Sequence, residues 1–420
     1  NLKAVAVRGR QPPPVASPER VKALRQWVLD NMANKKLLAS FHDYGTGAAM
    51  AGFEKSGNLP VRNFRDGLFP QVTQTDARTL RDTMGVGMDG CFACPVRCKK
   101  RVSSPEPYPV DAAYGGPEYE TLAVLGANCG VDNLKAIARG NQLCGANGLD
   151  TISTGSVIAW AMECFERGLL TTRDTGGLKL EFGNGESMLA LIELIARREG
   201  IGDRLAEGTA RAARQLGPEA LALTVQVKGL DAGMHDPRFK PGLGLGYMVN
   251  PHGADHCCNL HDTDYVIEGQ VAELKPLGIL EPLPREDIGP AKVALFKAIQ
   301  AKYAVLDCLV VCRFLSYSFQ QIAEIIGAVT GWDTSPAEQQ RVAERVLTVA
   351  RLFNLREGFT AADDELPPRF YQPKTDGALA DKALDPEKMR QARRYYYTLM
   401  GWDADTGVPT PEKRAELGLG

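Results

Sequence analysis

Three cysteines fall within one eight-residue stretch, Cys91-x-x-Cys94-x-x-x-Cys98, and this spacing restricts the local chain more than any other feature. Thiols set this closely can converge on one ion or cluster, so the segment is expected to be a ligand loop rather than a helix or strand. A fourth ligand must come from elsewhere. Cys308 and Cys312 both lie in the apolar run Val305-Leu-Asp-Cys-Leu-Val-Val-Cys312. From spacing alone three outcomes stand: an iron–sulfur cluster, a zinc ion closed by a fourth Cys or His, or free thiols. Ten cysteines in 420 residues are too sparse for a disulfide scaffold, and their clustering points to metal in a reducing, cytoplasmic compartment. Cys129, Cys144, Cys164 and Cys257 read as small buried apolar residues.

The rest of the chain reads as mainly α, multihelical, with a few short strands. Ser17 and Pro18 open a helix whose Val21, Leu24, Val28 and Met32 share one face. After the cysteine motif, Asp132 is expected to cap a helix ending near Gly148, and Thr154 to open another ending at Gly168. Further helices are expected over 186–198 and 203–216, and a strand over 221–229. Ser335-Pro336-Ala337-Glu338, Asp385-Pro386-Glu387 and Thr410-Pro411-Glu412 are three late helix starts. Residues 41–81 and 229–264 read as loops rich in Gly and Pro. Leu2 to Val7 reads as a strand. The proposed division is 1–16 as the end of a preceding domain with its linker, 17–222 as one helical domain and 223–420 as a second. Residue 1 is Asn rather than Met, so a fragment is expected.

Lys and Arg number 49 against 51 Asp and Glu, a balance that gives no reason to expect nucleic acid or a charged membrane surface as partner. No run of about 18 apolar residues offers a membrane span. Of five histidines, His235, His252, His256 and His261 crowd into the loop 229–264, leaving only His42 outside it. That concentration marks a functional loop, in which Gly242, Gly244 and Gly246 would admit the backbone close to a ligand. Asp150 is placed to cap a helix or to accept hydrogen bonds from a ligand. Asp307, in an apolar run, would need a partner if buried. Arg313 could provide it.

Several stretches together resemble the aldehyde:ferredoxin oxidoreductases. They are Asn1-Leu-Lys-Ala-Val-Ala-Val-Arg-Gly9, Cys91-Phe-Ala-Cys-Pro-Val-Arg-Cys98, Gly116-Pro-Glu-Tyr-Glu-Thr121, Asn147-Gly-Leu-Asp-Thr-Ile-Ser-Thr-Gly155, Gly242-Leu-Gly-Leu-Gly246 and Gly253-Ala-Asp-His256. The resemblance implies two all-α domains of the C-terminal type, with the family's N-terminal domain not included. It implies an enzyme oxidising aldehydes to carboxylic acids with a tungsten (or molybdenum) bis-pterin, a [4Fe-4S] cluster and ferredoxin or another electron carrier, in a possible homodimer. Cys91, Cys94, Cys98 and Cys312 match the cluster ligands, with Cys308 the competing fourth. The pterin loops match Gly145-Ala-Asn-Gly-Leu149-Asp150 and Asp307 to Cys312. Gly145 replaces the leading Asp of the first loop, and the second departs at its Gly and Leu. The family's proton-transfer Glu and His correspond to Glu118 or Glu120, with Glu120 the better spaced, and to His256. His252 would face pterin phosphate or pack, and Arg313 would link cluster to pterin or form a salt bridge. A related reading is the tungsten subunit of a benzoyl-CoA reductase; another is a cluster-binding fragment without catalysis.

Overall fold

The computed structural model describes residues 4–32 and 36–420. Among them the chain forms eighteen α-helices, several short 3-10 turns and two small antiparallel sheets, β1 (Gly85–Asp89) with β2 (Lys99–Val102), and β3 (Gln226–Val227) with β4 (Leu230–Asp231). The multihelical expectation is met. The expected opening strand is not, because residues 4–9 are exposed and unpaired, while Leu2 and Lys3 lie outside the described residues.

Local capping sets most helix starts. Ser335, Asp385 and Thr410 each accept a backbone N–H at the head of Pro336–Arg356, Pro386–Leu399 and Pro411–Glu416, with proline at the first helical position. Asn133, one residue after the expected cap, accepts from Lys135 and Ala136 and opens Leu134–Asn147. The next helix, Thr151–Glu166, begins three residues earlier than expected because Asp150 caps it, accepting from Ser153 N at 2.7 Å. The helix expected over 203–216 is divided at Gly208 (φ 83°) into Ile201–Leu205 and Thr209–Leu216. Where a strand was expected over 221–229, Pro218–Ala222 is helical and only Gln226–Val227 pairs.

Two stretches expected to be loops also hold helices. Met50–Ser56 lies within 41–81 and Ala77–Met84 begins within it. Pro241–Val249 lies within 229–264 and is buried all round, as its uniformly apolar sequence requires. The glycines of this helix admit protein groups rather than a ligand. A β-carbon on Gly242 would stand 2.5 Å from Asp262 Oδ1, and one on Gly246 2.3 Å from Asn259 Cγ. Asp262 thereby reaches the helix head and accepts from Gly242 N at 3.0 Å and Leu243 N at 2.8 Å.

The core is continuous from Met50 to Trp402. It buries Trp160, whose Nε1 donates to the Ala220 carbonyl at 2.9 Å. Several charges inside it are paired, which offsets the cost of their burial. Fully buried Glu163 accepts from Asn63 and Arg369, both at 2.7 Å, and from Arg167 at 2.9 Å. Asp236 holds Arg238 at 2.8 Å and Lys374 at 3.2 Å. These contacts clamp the segments around residues 63, 236 and 370 together. The helix Tyr119–Leu125 packs on Thr151–Glu166, and the hydroxyls of Thr121 and Thr151 meet at 2.8 Å. That contact sets the start of one helix beside the start of the other. No helix among the described residues is long and apolar enough to cross a membrane.

Candidate metal and acid–base site

The cysteine loop turns at once. Cys94 N donates to the Cys91 carbonyl at 3.0 Å, and Ala93 and Arg97 take positive φ values of 55° and 51°. Cys312 begins a 3-10 turn just beyond Pro290–Leu309, after Val310 reverses the chain at φ 55°. The fold carries it to the loop. Burial first, then the neighbouring Glu118, Cys312 and Cys94, push the Cys98 thiol up to about 11. Burial and the adjacent Cys94 and Cys91 raise Cys312. Cys308 is exposed and is not among the thiols acting on either. Four thiols brought this close together are a donor set that fits a thiolate-bound cluster or ion.

The two candidate carboxylates separate cleanly. Glu118 belongs to the cysteine loop's support. It accepts from Thr46 Oγ1 at 2.6 Å and pairs at 3.1 Å with Lys100, which is itself buried. Glu120, two residues on, faces the histidines. Its Oε2 accepts from Met234 N at 2.6 Å. Its Oε1 is buried without a hydrogen bond, 3.3 Å from His256 Nε2 and 3.5 Å from His235 Nε2. Burial pushes the Glu120 carboxyl up, against the opposing pull of His256 and the Met234 N–H. His256 is lowered by burial, but facing Glu120 and then Cys257 lift it to about 9. The two groups face each other closely enough that their titrations are coupled.

His235 and His261 are held neutral. Asn58 Oδ1 accepts from Asp236 N at 3.2 Å, which turns the amide so that its Nδ2 donates to His235 Nδ1 at 3.1 Å. Lys240 Nζ also donates to that nitrogen at 3.4 Å, and to His261 Nδ1 at 3.0 Å. An amide N–H and an ammonium can only donate, so both Nδ1 atoms carry lone pairs and both Nε2 atoms carry the hydrogen. The His235 N–H then points toward Glu120, and that of His261 donates to the His256 carbonyl at 3.1 Å. Burial and Lys240 depress both imidazoles far below their ordinary range. Burial also lowers Lys240 to about 8 against the attraction of Asp264 and Asp262.

The other expected residues surround this pair. Leu149 is partly buried. Asp150 is exposed and caps its helix. Gly145 is exposed in Leu134–Asn147, with room for a β-carbon 3.8 Å from Tyr114. Asp307 is not buried as the sequence suggested. It is exposed at the end of its helix, and its partner is the Cys258 thiol at 3.4 Å, not Arg313. Arg313 forms no salt bridge among the described residues; its guanidinium donates to the Cys257 carbonyl and, at 3.1 Å, to Tyr303 Oη, lying over that ring. His252 is exposed and meets Asp255 Oδ2 at 3.2 Å. Cys129, Cys144 and Cys164 are buried as expected, but Cys257 is exposed, its thiol 3.4 Å from His256 Nε2. Lys240, Gly233 and Cys258 were not anticipated. Nothing local distinguishes them, since their roles arise only from tertiary contact.

The family profile described as aldehyde ferredoxin oxidoreductase, domains 2 and 3, matches residues 22–419. The tungsten-containing aldehyde ferredoxin oxidoreductase of Pyrococcus furiosus is 32% identical over 425 residues, covering all of this chain and 67% of that protein. That of Thermococcus kodakarensis is 33% identical with the same coverage. The aliphatic sulfonate oxidoreductase WOR-like subunit of Pyrococcus furiosus is 29% identical, with 64% of it covered. A solved structure of the active-site complex BamBC of benzoyl coenzyme A reductase shares the fold, with a TM-score of 0.75 at 24% identity over 99% of this chain and 67% of that one. The chain thus spans about two thirds of the length of its relatives, and it belongs to the aldehyde ferredoxin oxidoreductase family of oxidoreductases.

Proposed function

We propose that the protein oxidises aldehydes to carboxylic acids as a tungsten-pterin enzyme, with electrons leaving through a [4Fe-4S] cluster to ferredoxin. One observation carries the reading: a buried carboxylate oxygen, Glu120 Oε1, without a hydrogen bond and facing His256. A buried polar atom left unpaired points to chemistry rather than scaffolding. The two loops assigned to pterin flank it. Asp150 precedes Thr151, which touches Thr121, the neighbour of Glu120; Asp307 touches Cys258, two residues from His256. The residues fit the group, because Asp150 has one oxygen taken by Ser153 and another without a protein donor among the described residues, and Asp307 is exposed.

Cys91, Cys94, Cys98 and Cys312 would hold the cluster; Leu149, Asp150, Asp307 and their loops would hold the pterin. When bound, these groups take the electron pair from substrate and pass it on singly. The protein's own part is the proton work. Aldehyde plus water becomes carboxylate with release of two electrons and three protons, so a base is needed as water attacks the carbonyl. Glu120, facing His256 at 3.3 Å, can accept a proton from that water and pass it on. His235 stands with its Nε2–H 3.5 Å from the same carboxylate oxygen, facing it without a formed hydrogen bond, while Lys240 holds His235 in that tautomer. The reducing, cytoplasmic setting expected from the cysteines would preserve the thiols.

The test is anaerobic purification, metal analysis and aldehyde-dependent dye reduction. About four irons and tungsten, with Glu120→Gln lowering kcat by roughly 10²–10⁴-fold, is the expected result. A Glu120→Gln protein turning over at the full rate would overturn it.

A further inference from the structure

We propose that His252, Asp255 and Cys258 form a binding site for a soft divalent cation, zinc above all, separate from the four-cysteine loop and independent of the aldehyde reaction. The three residues are spaced His-x-x-Asp-x-x-Cys on one turn of chain, and their ligand atoms all lie within 4.8 Å of one another. Donors standing about 2.0–2.3 Å from a tetrahedral zinc are roughly 3.3–3.8 Å apart. His252 Nε2 and Asp255 Oδ2, at 3.2 Å, already have almost that separation. The donor set of imidazole, carboxylate and thiolate is one that zinc accepts and that magnesium or calcium does not favour.

The scaffold is built before any ion arrives. Asp255 is fixed by backbone N–H groups, with Oδ1 accepting from Cys257 at 2.9 Å and Oδ2 from Cys258 at 3.1 Å. The Asp255 carbonyl accepts from the side chain of Asn259, which is fully buried. His252 is the exposed arm: its Nε2 donates to the Asp255 carboxylate, which can only accept, and presents a lone pair to an ion once the hydrogen moves to the other ring nitrogen.

Two neighbouring sets of donors are poorer. Glu120, His235 and His256 also lie within reach of one ion, but Asn58 and Lys240 place the hydrogen of His235 on the nitrogen that would have to bind. The set of Asp255, His256 and Cys257 draws on His256, whose Nε2 already faces Glu120. In the set with His252 the imidazole is exposed and no lysine or amide fixes its tautomer among the described residues, so its hydrogen can move to the other nitrogen when an ion binds. Asp307 Oδ2 stands 3.4 Å from the Cys258 sulfur, but it is the carboxylate assigned above to the pterin. The site therefore commits to three protein ligands and one open position. A cation there would fasten the two ends of the segment that carries His256.

The test uses the full chain purified with its own metals, dialysed against a weak chelator and then titrated with Zn²⁺ against a chromophoric competitor, with iron counted in parallel. Co²⁺ replaces zinc in a second titration, where one cysteine gives a single thiolate charge-transfer band. The expected result is one ion per chain, lost in Cys258→Ser, weakened by at least about tenfold in His252→Gln, and retained in Cys257→Ser, with iron unchanged throughout. His252→Gln alters an exposed side chain and keeps the test valid if Cys258→Ser folds poorly. No uptake, or uptake unchanged in both variants, would overturn the site, the second by placing zinc among the cluster cysteines. Loss of iron with zinc retained at Cys258 would count against the cluster and leave the cation site standing.

Discussion

Gly233 lies directly against the ring of His256, so that a β-carbon added to it would stand 2.5 Å from Nδ1. Real side chains do not approach that closely. The imidazole meets Glu120 only because residue 233 has no side chain. Gly233→Ala must push the ring aside, with a stability cost of about 1–3 kcal/mol for overpacking. A displacement near 1 Å should lower kcat by roughly 10²-fold. Steady-state kinetics beside a urea melt will check this, and unchanged kcat would show that His256 is not poised by this contact.

The facing of Glu120 and His256 at 3.3 Å gives a pH dependence of defined sign. His256 has its folded value raised from 6.5 to about 9. Its stabilising contribution is complete below 6.5 and is lost as pH rises through 9. Burial raises Glu120 as well, which also favours the protonated, lower-pH side. Glu120→Gln removes the charge that lifts His256 and leaves burial dominant, so the imidazole should titrate well below 9. NMR titration of the ring reads the shift directly, and a His256 value still near 9 in that variant would contradict it.

Cys312→Ser should abolish stable iron binding, whereas Cys308→Ser should leave iron per chain unchanged. The thiol of Cys312 is a neighbour of Cys91, Cys94 and Cys98, while Cys308 points to solvent from the preceding helix. Iron analysis of the two variants side by side distinguishes them. Equal loss in both would mean that the helix end, not the fourth thiol, is what matters.

Glu163→Ala should be among the most damaging changes outside the site. It strips Arg369 of its carboxylate where both side chains are buried, and leaves Asn63 with only the Leu223 carbonyl as acceptor. Leaving a buried charge unpaired costs about 3–5 kcal/mol. Equilibrium unfolding in urea measures the loss; a change under about 1 kcal/mol would show that water reaches Arg369.

What the sequence made legible was local. Ser335, Asp385 and Thr410 act on backbone within three residues of themselves, so their helices start where expected. Asp150 was open to two readings, and the cap is the one that the structure displays. The buried helix Pro241–Val249 was missed because its glycines mimic loop composition; only the packing of Asp262 and Asn259 into the gaps explains them. Glu120 and His256 were found through family pattern. Lys240, which fixes two histidine tautomers, could not be found, since its effect depends on three segments meeting in space.

Arg313 follows Cys312 directly and grips the carbonyl next to His256. The segment that carries Cys312 and the segment that carries His256 are therefore tied at one contact, and a shift in the chain at residue 312 would be felt beside the imidazole.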